Sequence, residues 1–465
     1  MWGIELNRES DVPIKRQIYE AFKQRMMNGS LEEGDAMPST RELASALSVS
    51  RSTACEAYDM LLAEGFIIAH QGAPTRVAPG LVVDGSPEQR PRRKARSEKK
   101  YAADFKTGQP DLRAFPRFSF EQSLKKATTE LSLASFGYSG AQGSLPLREE
   151  IAAYLNRSRG IKADPQDIFI TAGATHALHV IAELLREQNS DILIEDPCHT
   201  GMLQAFVLRG FKPISVPVDE AGMRTDKLEA VRGCPVYVTP SHQFPLGGIL
   251  SATRRAALIR FAHEHESYVI EDDYDSEFRY EGEPIAPLYA MDPQRVIYVG
   301  TFSKVLYPAL RIGYVILPRQ LQKRWIKLRT YTDVQNPVFE QAALTDFLQT
   351  RRLDRHIQKM RRLYGTRRRI LLKSLGDAFG NSWRPWGDAT GLHIAVQFDG
   401  LRFDQSVEAI CKEQGIRVTS VARYCIEKGH HEDKLLLGYG HLNNDEIEKG
   451  VRLLCIAMCG YLPHL

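Results

Sequence analysis

The sequence predicts a multidomain chain: an N-terminal α+β module with a helix–turn–helix and a two-stranded wing, then an α/β domain. The second part is expected to hold a large, mostly parallel sheet and a small C-terminal subdomain. Three observations predict this. At 465 residues the chain is too long for one ordinary domain. Its composition breaks at residues 79–103, where prolines and a basic run replace apolar periodicity. Beyond the break, short apolar runs alternate with helical stretches, the pattern of parallel strands joined by crossovers. The expected boundaries are 1–78, 79–103 and 104–465.

In "PIKRQIYEAFKQRMMNG", Ile14, Ile18, Phe22 and Met26 fall at helical spacing, and Gly29 ends the run. "MPSTRELASAL" opens a second helix at Ser39, and Glu42 stands where a capping box needs it. "SVSRSTACEAYDMLLAEGF" gives a short turn and a third helix capped by Ser50. Alternating residues around Gly-Ala-Pro in "FIIAHQGAPTRV" predict the wing, with Gly72 at its tight turn. Arg51, Ser52 and Thr53 occupy the first turn of the third helix, where a DNA-reading helix faces phosphates and base edges. Arg41 on the second helix and Arg76 on the wing suit backbone or groove contacts. Bulk charge does not drive such binding. Residues 1–80 carry 8 Lys and Arg against 11 Asp and Glu, so affinity for double-stranded DNA must come from a local patch and from dimerisation.

The break at 79–103 reads as an extended, solvated linker; its basic run (Arg90 to Lys100) is either a plain tether or a contact to the DNA backbone. A later basic stretch, Arg351 to Arg369, holds nine Lys and Arg against one acid, and is either a solvated face or a second DNA-backbone surface. The seven cysteines are scattered without a CxxC pair or a Cys/His metal spacing, so reduced thiols and no metal are expected. No apolar run approaches the length of a membrane span, which leads to the expectation of a cytoplasmic protein.

In an open α/β sheet, ligands sit beyond the carboxyl ends of the strands, so each strand end is read for its first polar residues. "DIFIT" leads into Gly173, Ala174 and Thr175, a small-residue loop opening a helix and thus a phosphate cradle. "YVI" ends in Glu271, Asp272, Asp273 and Tyr274, and "PVYV" in a Pro-bounded turn with His242 and Gln243. "RVIYV" ends in the loop that carries Thr301, Ser303 and Lys304. Pyridoxal 5'-phosphate would use all of these: a lysine amine, a carboxylate for the pyridine nitrogen, a donor to the phenolate, and a phosphate cup.

The stretches "TAGATHAL", "EDPCHTG", "TPSHQFPLG", "EDDYDSEF" and "GTFSKVLYPALRIGY" resemble the motif series of fold type I aminotransferases. The resemblance implies that Lys304 is the aldimine lysine, Asp272 partners the pyridine nitrogen, and Tyr274 reaches the phenolate oxygen. It implies that Arg311, Thr301, Ser303 and the Gly173–Thr175 loop hold the phosphate, with His242 and Gln243 in the cofactor site. "FGYSGAQGSLPLREEIAAYL" is similar to the segment whose tyrosine, here Tyr138, reaches the phosphate from the partner subunit, which implies a head-to-tail homodimer. Residues 13–78 resemble a GntR-type winged helix–turn–helix, although "QGAPTRV" departs from that family's wing. Together the two halves resemble the MocR family of bacterial regulators.

Two departures bear on function. His199 stands where the family has an aromatic ring stacked on the cofactor, and Leu436 where an arginine grips the substrate's α-carboxylate. Arg423, just upstream, is the candidate replacement. The resemblance thus implies a regulator in which aldimine exchange at Lys304 senses an amino-group effector, such as an amino acid or a D-amino acid dipeptide. The alternative is an active aminotransferase with an appended DNA-binding module.

Overall fold

The computed structural model describes residues 4–70, 73–81, 101–283, 285–387 and 390–459. The chain folds as two compact units, Met1–Glu98 and Lys99–Leu465. Gly72 and the basic run of the linker lie outside the described residues.

The first unit has helices α1 (Ile14–Met27), α2 (Thr40–Leu47) and α3 (Arg51–Ala63) and an antiparallel pair, β1 (Ile67–Ile68) and β2 (Arg76–Val77). The periodic face of α1 buries Ile18, Tyr19, Phe22 and Met26 against Leu43, Ala54 and Leu61. Ser39 and Glu42 close the expected capping box, and Ser50 Oγ accepts from the Thr53 amide at 3.1 Å. These caps satisfy orphan amides and fix where α2 and α3 begin.

The second unit centres on an eight-stranded sheet. In chain order its strands are β3 (Ile168–Thr171), β4 (Asp191–Asp196), β5 (Lys212–Asp219), β6 (Gly222–Met223), β7 (Val236–Val238), β8 (Val269–Asp273), β9 (Val296–Thr301) and β10 (Gly313–Ile316). The spatial order is β3-β10-β9-β8-β7-β4-β5-β6, with β9, β8, β7, β4 and β5 mutually parallel. β10 runs antiparallel to both neighbours. Successive residues of one strand feed different cores: Val296 and Tyr298 join one cluster, Ile297 and Val299 the other. Such continuous burial is what a sheet covered on both faces requires.

A second, antiparallel sheet includes β11 (Trp383–Trp386), β12 (His393–Phe398), β13 (Thr419–Ser420) and β14 (Lys434–Gly438), in the order β11-β12-β14-β13. The basic stretch forms much of the helix Arg352–Phe379. Not all of its cations are solvated: Arg367 is buried, with its guanidinium 2.6 Å from Asp111. Among the described residues no helix is long and apolar enough to cross a membrane.

Candidate functional site

The strands β3, β7, β8 and β9 deliver polar groups to a cavity of about 430 Å³. Its lining includes Ala174, Thr175, His199, Asp272, Tyr274, Thr301, Ser303, Lys304 and Arg311, so most of the residues singled out in the sequence converge.

Lys304 follows β9 and is largely enclosed, its ammonium donating to the Gly108 carbonyl at 2.8 Å. Burial holds its pKa below the usual lysine range, although Asp275 and Asp272 oppose the shift. Gly108 has φ +68°, and a side chain there would meet the Lys304 amine at 2.7 Å. The left-handed backbone favours glycine at this point, and any side chain there would displace the Lys304 amine.

Asp272 and Asp273 end β8 and point oppositely, as successive strand residues do. Asp272 Oδ2 accepts from Tyr237 Oη at 2.7 Å, while Oδ1 is buried without a partner among the described residues. Burial raises this carboxyl to about 6, with the Tyr237 hydrogen bond pulling the other way. Asp273 is buried with Arg159 at 2.8 Å and accepts from Tyr298 Oη at 2.5 Å.

Gly173, at φ +91°, is the N-cap of the helix Ala174–Leu185, whose first-turn amides have no helical acceptor. A Cβ on Gly173 would lie 3.0 Å from the Arg311 guanidinium, which is anchored on the Ala172 carbonyl. Thr301 Oγ1 bonds Ser303 Oγ at 3.0 Å beside them. Amides, two hydroxyls and a guanidinium thus share one corner, an anion-binding arrangement.

His199 caps Thr200–Val207, its Nδ1 accepting from the Gly201 amide at 3.1 Å. Burial, and then the charge of Lys304, lower its pKa to about 4, so the ring is neutral. Beneath the cavity His242 Nδ1 lies 2.9 Å from Asp275 and 3.1 Å from Tyr274 Oη. Gln243 does not reach the cavity; its amide donates to the Pro197 and Phe244 carbonyls and secures the turn.

Two further sequence candidates, Tyr138 and Arg423, also lie apart from the cavity. Tyr138 is 90 % exposed and lines no part of the cavity. Arg423 is spent on Glu408 at 2.7 Å, and Leu436 is buried among Val218, Phe244 and Val421. The lining also contains residues that sequence reasoning does not single out, among them Lys106, Tyr237, His393 and Tyr424. Tyr237 sits inside the apolar run "PVYV" and His393 inside "LHIAVQF", where each reads as core.

In the first unit, Arg41 and Arg51 are exposed and have no hydrogen-bond or ion-pair partner among the described residues. Ser52 and Thr53 hydroxyls lie 2.7 and 2.8 Å from Ser50 Oγ. Arg76 is exposed on β2 but donates to the Gly34 carbonyl at 2.7 Å, which fixes its stem beside the wing.

Comparison with known proteins agrees with both halves. The profile of aminotransferase class I and II matches residues 107–437, and that of the bacterial regulatory proteins of the gntR family matches residues 14–77. The uncharacterized HTH-type transcriptional regulator YdeL of Bacillus subtilis is 32% identical over 455 residues, covering 97% of each chain. The HTH-type pyridoxine biosynthesis transcriptional regulator PdxR of Corynebacterium glutamicum is 32% identical, over 96% of each. The probable rhizopine catabolism regulatory protein MocR of Rhizobium meliloti is 29% identical over 98% of this chain and 97% of its own. Among solved structures, a kynurenine aminotransferase of Pyrococcus horikoshii superposes with a TM-score of 0.72 at 26% identity, covering 79% of this chain and 92% of that one. The chain belongs to the aminotransferase class I and II family, in the two-domain form of the MocR- and PdxR-type HTH transcriptional regulators, with a gntR-type module ahead of the aminotransferase domain.

Proposed function

We propose that this protein is a DNA-binding transcriptional regulator whose aminotransferase-like unit holds pyridoxal 5'-phosphate and senses an amino compound at Lys304. The observation that carries the cofactor reading is Asp272, which lines a cavity with Lys304 and the Arg311 corner and whose buried Oδ1 has no partner among the described residues. A buried carboxylate oxygen without a donor is costly, and a protonated pyridine nitrogen is the donor that this cofactor provides. The Pyrococcus structure contains PMP, and a Thermus thermophilus aminotransferase, LysN, at 25% identity and TM-score 0.71 over 78% of this chain and 94% of its own, contains a phosphopyridoxyl-leucine.

The roles then divide among residues of this chain. Gly173, Ala174, Thr175, Thr301, Ser303 and Arg311 would hold the phosphate, Asp272 the ring nitrogen, Tyr274 the phenolate oxygen, and His199 one face of the ring. His242, bridged to Asp275 and Tyr274, positions the phenol, and Gln243 the loop beneath it. Tyr138, fully outside its own cavity, is suited to reach a partner's phosphate in a head-to-tail homodimer. When bound, the cofactor supplies an aldehyde that condenses reversibly with amines. Lys304, kept readily deprotonated by burial, is the resident amine that a ligand must displace.

Sensing instead of turnover is favoured by Leu436. Its burial in an apolar cluster leaves that strand without a guanidinium to orient an α-carboxylate for chemistry. Regulation requires that the ligand bind two states of the protein unequally. In the first unit, Arg51 with Ser50, Ser52 and Thr53 would read the operator, and Arg41 and Arg76 would contact its backbone. The test is a mobility-shift titration on the chain's own promoter DNA, with and without a panel of primary amines. A change in operator affinity is expected with at least one amine; indifference to every amine would remove the sensing role.

A further inference from the structure

Three cationic side chains line the cavity: Lys106, Lys304 and Arg311. Lys304 and Arg311 are committed by the reading above, the first to the resident amine and the second to the anion corner. Lys106 has no assigned task. Its side chain is exposed at the cavity, with no hydrogen-bond or ion-pair partner among the described residues, and its charge is felt at Lys304. Its backbone is firmly placed. The Lys106 carbonyl packs on Gly438 so closely that a Cβ there would come within 2.2 Å, and two residues later the Gly108 carbonyl takes the Lys304 proton donor.

Gly438 pairs across the small sheet with His393, so His393 and the Lys106 backbone flank one strand end. His393 is buried, lines the cavity, and stacks on His242 at 4.9 Å. Its Nε2 is buried and has no partner among the described residues. Burial holds the ring's pKa well below the usual histidine range, with the Pro245 backbone opposing the shift, so the ring is neutral and one of its nitrogens is an acceptor.

We propose that Lys106 and His393 recognise the end of the ligand remote from its amine: Lys106 takes an anionic group, and His393 Nε2 takes a neighbouring O–H or N–H. This rests on the cofactor reading, since the amine is placed by Lys304. The ligand class is a primary amine that carries an anionic group and, between the two, a hydrogen-bond donor. Arg423, paired with Glu408 and outside the cavity, has no part in it.

The test uses the full-length, cofactor-loaded protein. ω-Amino carboxylates and n-alkylamines of matching length are titrated by calorimetry, with the visible spectrum followed in parallel. At least one carboxylate should bind on the order of tenfold tighter than its alkylamine. Lys106→Met should shrink that preference to within about twofold, and Lys106→Arg should retain it. The alkylamine reports, in each variant, whether the pocket still accepts an amine. A 3-hydroxylated ω-amino carboxylate should gain several-fold over its parent in wild type and nothing in His393→Phe. If amines bind but wild type shows no preference, or Lys106→Met keeps it, the Lys106 assignment is overturned while the cofactor reading stands. A hydroxyl that brings no gain in wild type overturns the His393 assignment. If no amine perturbs the spectrum, the cofactor reading itself falls.

Discussion

Tyr237 Oη donates to Asp272 Oδ2 at 2.7 Å and leaves Oδ1 of the same carboxylate buried and without a donor among the described residues. One oxygen is thus oriented by the neighbouring strand, and the other has no donor among the described residues. Asp273, next in sequence, is committed to Arg159 and Tyr298 on the opposite face.

The two aspartates should therefore fail differently. Asp272→Ala should weaken pyridoxal phosphate binding by about 1.5–3 kcal/mol, the worth of a charge-assisted hydrogen bond, with little loss of thermal stability. Asp273→Ala should instead destabilise the fold by about 3–5 kcal/mol, because Arg159 is left buried and unpaired. Cofactor titration and thermal denaturation on both variants separate the two roles; equal cofactor losses would contradict them.

Asp272 also makes a pH prediction. Its folded value, about 6, lies above the ordinary carboxylate value, so the cofactor-free native state takes up a proton before the unfolded chain does. This group's contribution to stability is unfavourable above that pH and is relieved as the pH falls through about 6 toward about 4. Other buried groups titrate in the same window, so the difference against Asp272→Asn is the quantity to measure. Wild type should gain on the variant as the pH falls across that interval; a flat difference would contradict the burial of this carboxylate.

Leu436→Arg restores the residue type that grips a carboxylate in aminotransferases, yet it should not create activity. Leu436 packs with Val218, Phe244, Leu246, Ala395 and Val421, and a guanidinium there would be desolvated without a partner. A loss of several kcal/mol in denaturant unfolding is expected. A stable, active variant would show that the cluster can open.

In the first unit, Arg51→Ala should weaken operator binding by about 1–3 kcal/mol with relaxed specificity at one position per half-site if the contact is to a base. If the contact is to a phosphate, all sequences should weaken alike and the salt slope should fall by about one per site. Ser50→Ala, which removes the cap that Thr53 and Ser52 share, should cost about 1 kcal/mol of stability before any contact is lost. Footprinting at several salt concentrations, with a melting curve for each variant, distinguishes these outcomes.

The residues legible in the sequence share a position: Lys304, Asp272, Tyr274 and the Gly173 loop each follow an apolar run, where polarity is conspicuous. Tyr237 and His393 lie within such runs, and nothing local separates a cavity-facing ring from a core one. Tyr237 matters because β7 pairs with β8, and that pairing is long-range. Arg423 was legible as a cation in a suitable neighbourhood, but its partner Glu408 comes from the helix Gln405–Glu413, which only the fold brings close. Lys106 follows the linker without periodicity, and its place is set by Gly438, more than 300 residues later. Helix ends were read well because capping is local chemistry, as Ser39 with Glu42 and Ser50 with Thr53 show.

Whether an amine at Lys304 controls DNA binding is decided by one paired measurement. Purified wild type and Lys304→Ala are titrated with a panel of primary amines while visible absorbance and operator affinity are recorded on the same samples. In wild type, an amine that alters the spectrum should alter operator affinity at the same concentration, and borohydride should fix the cofactor covalently to Lys304. In Lys304→Ala, DNA binding should persist without response, and no lysine-attached cofactor should be trapped. Operator affinity that ignores every spectrally active amine, or multiple turnover with a keto-acid acceptor at ~1 s⁻¹ or faster, would contradict the sensor and leave an enzyme with a DNA-binding module in its place.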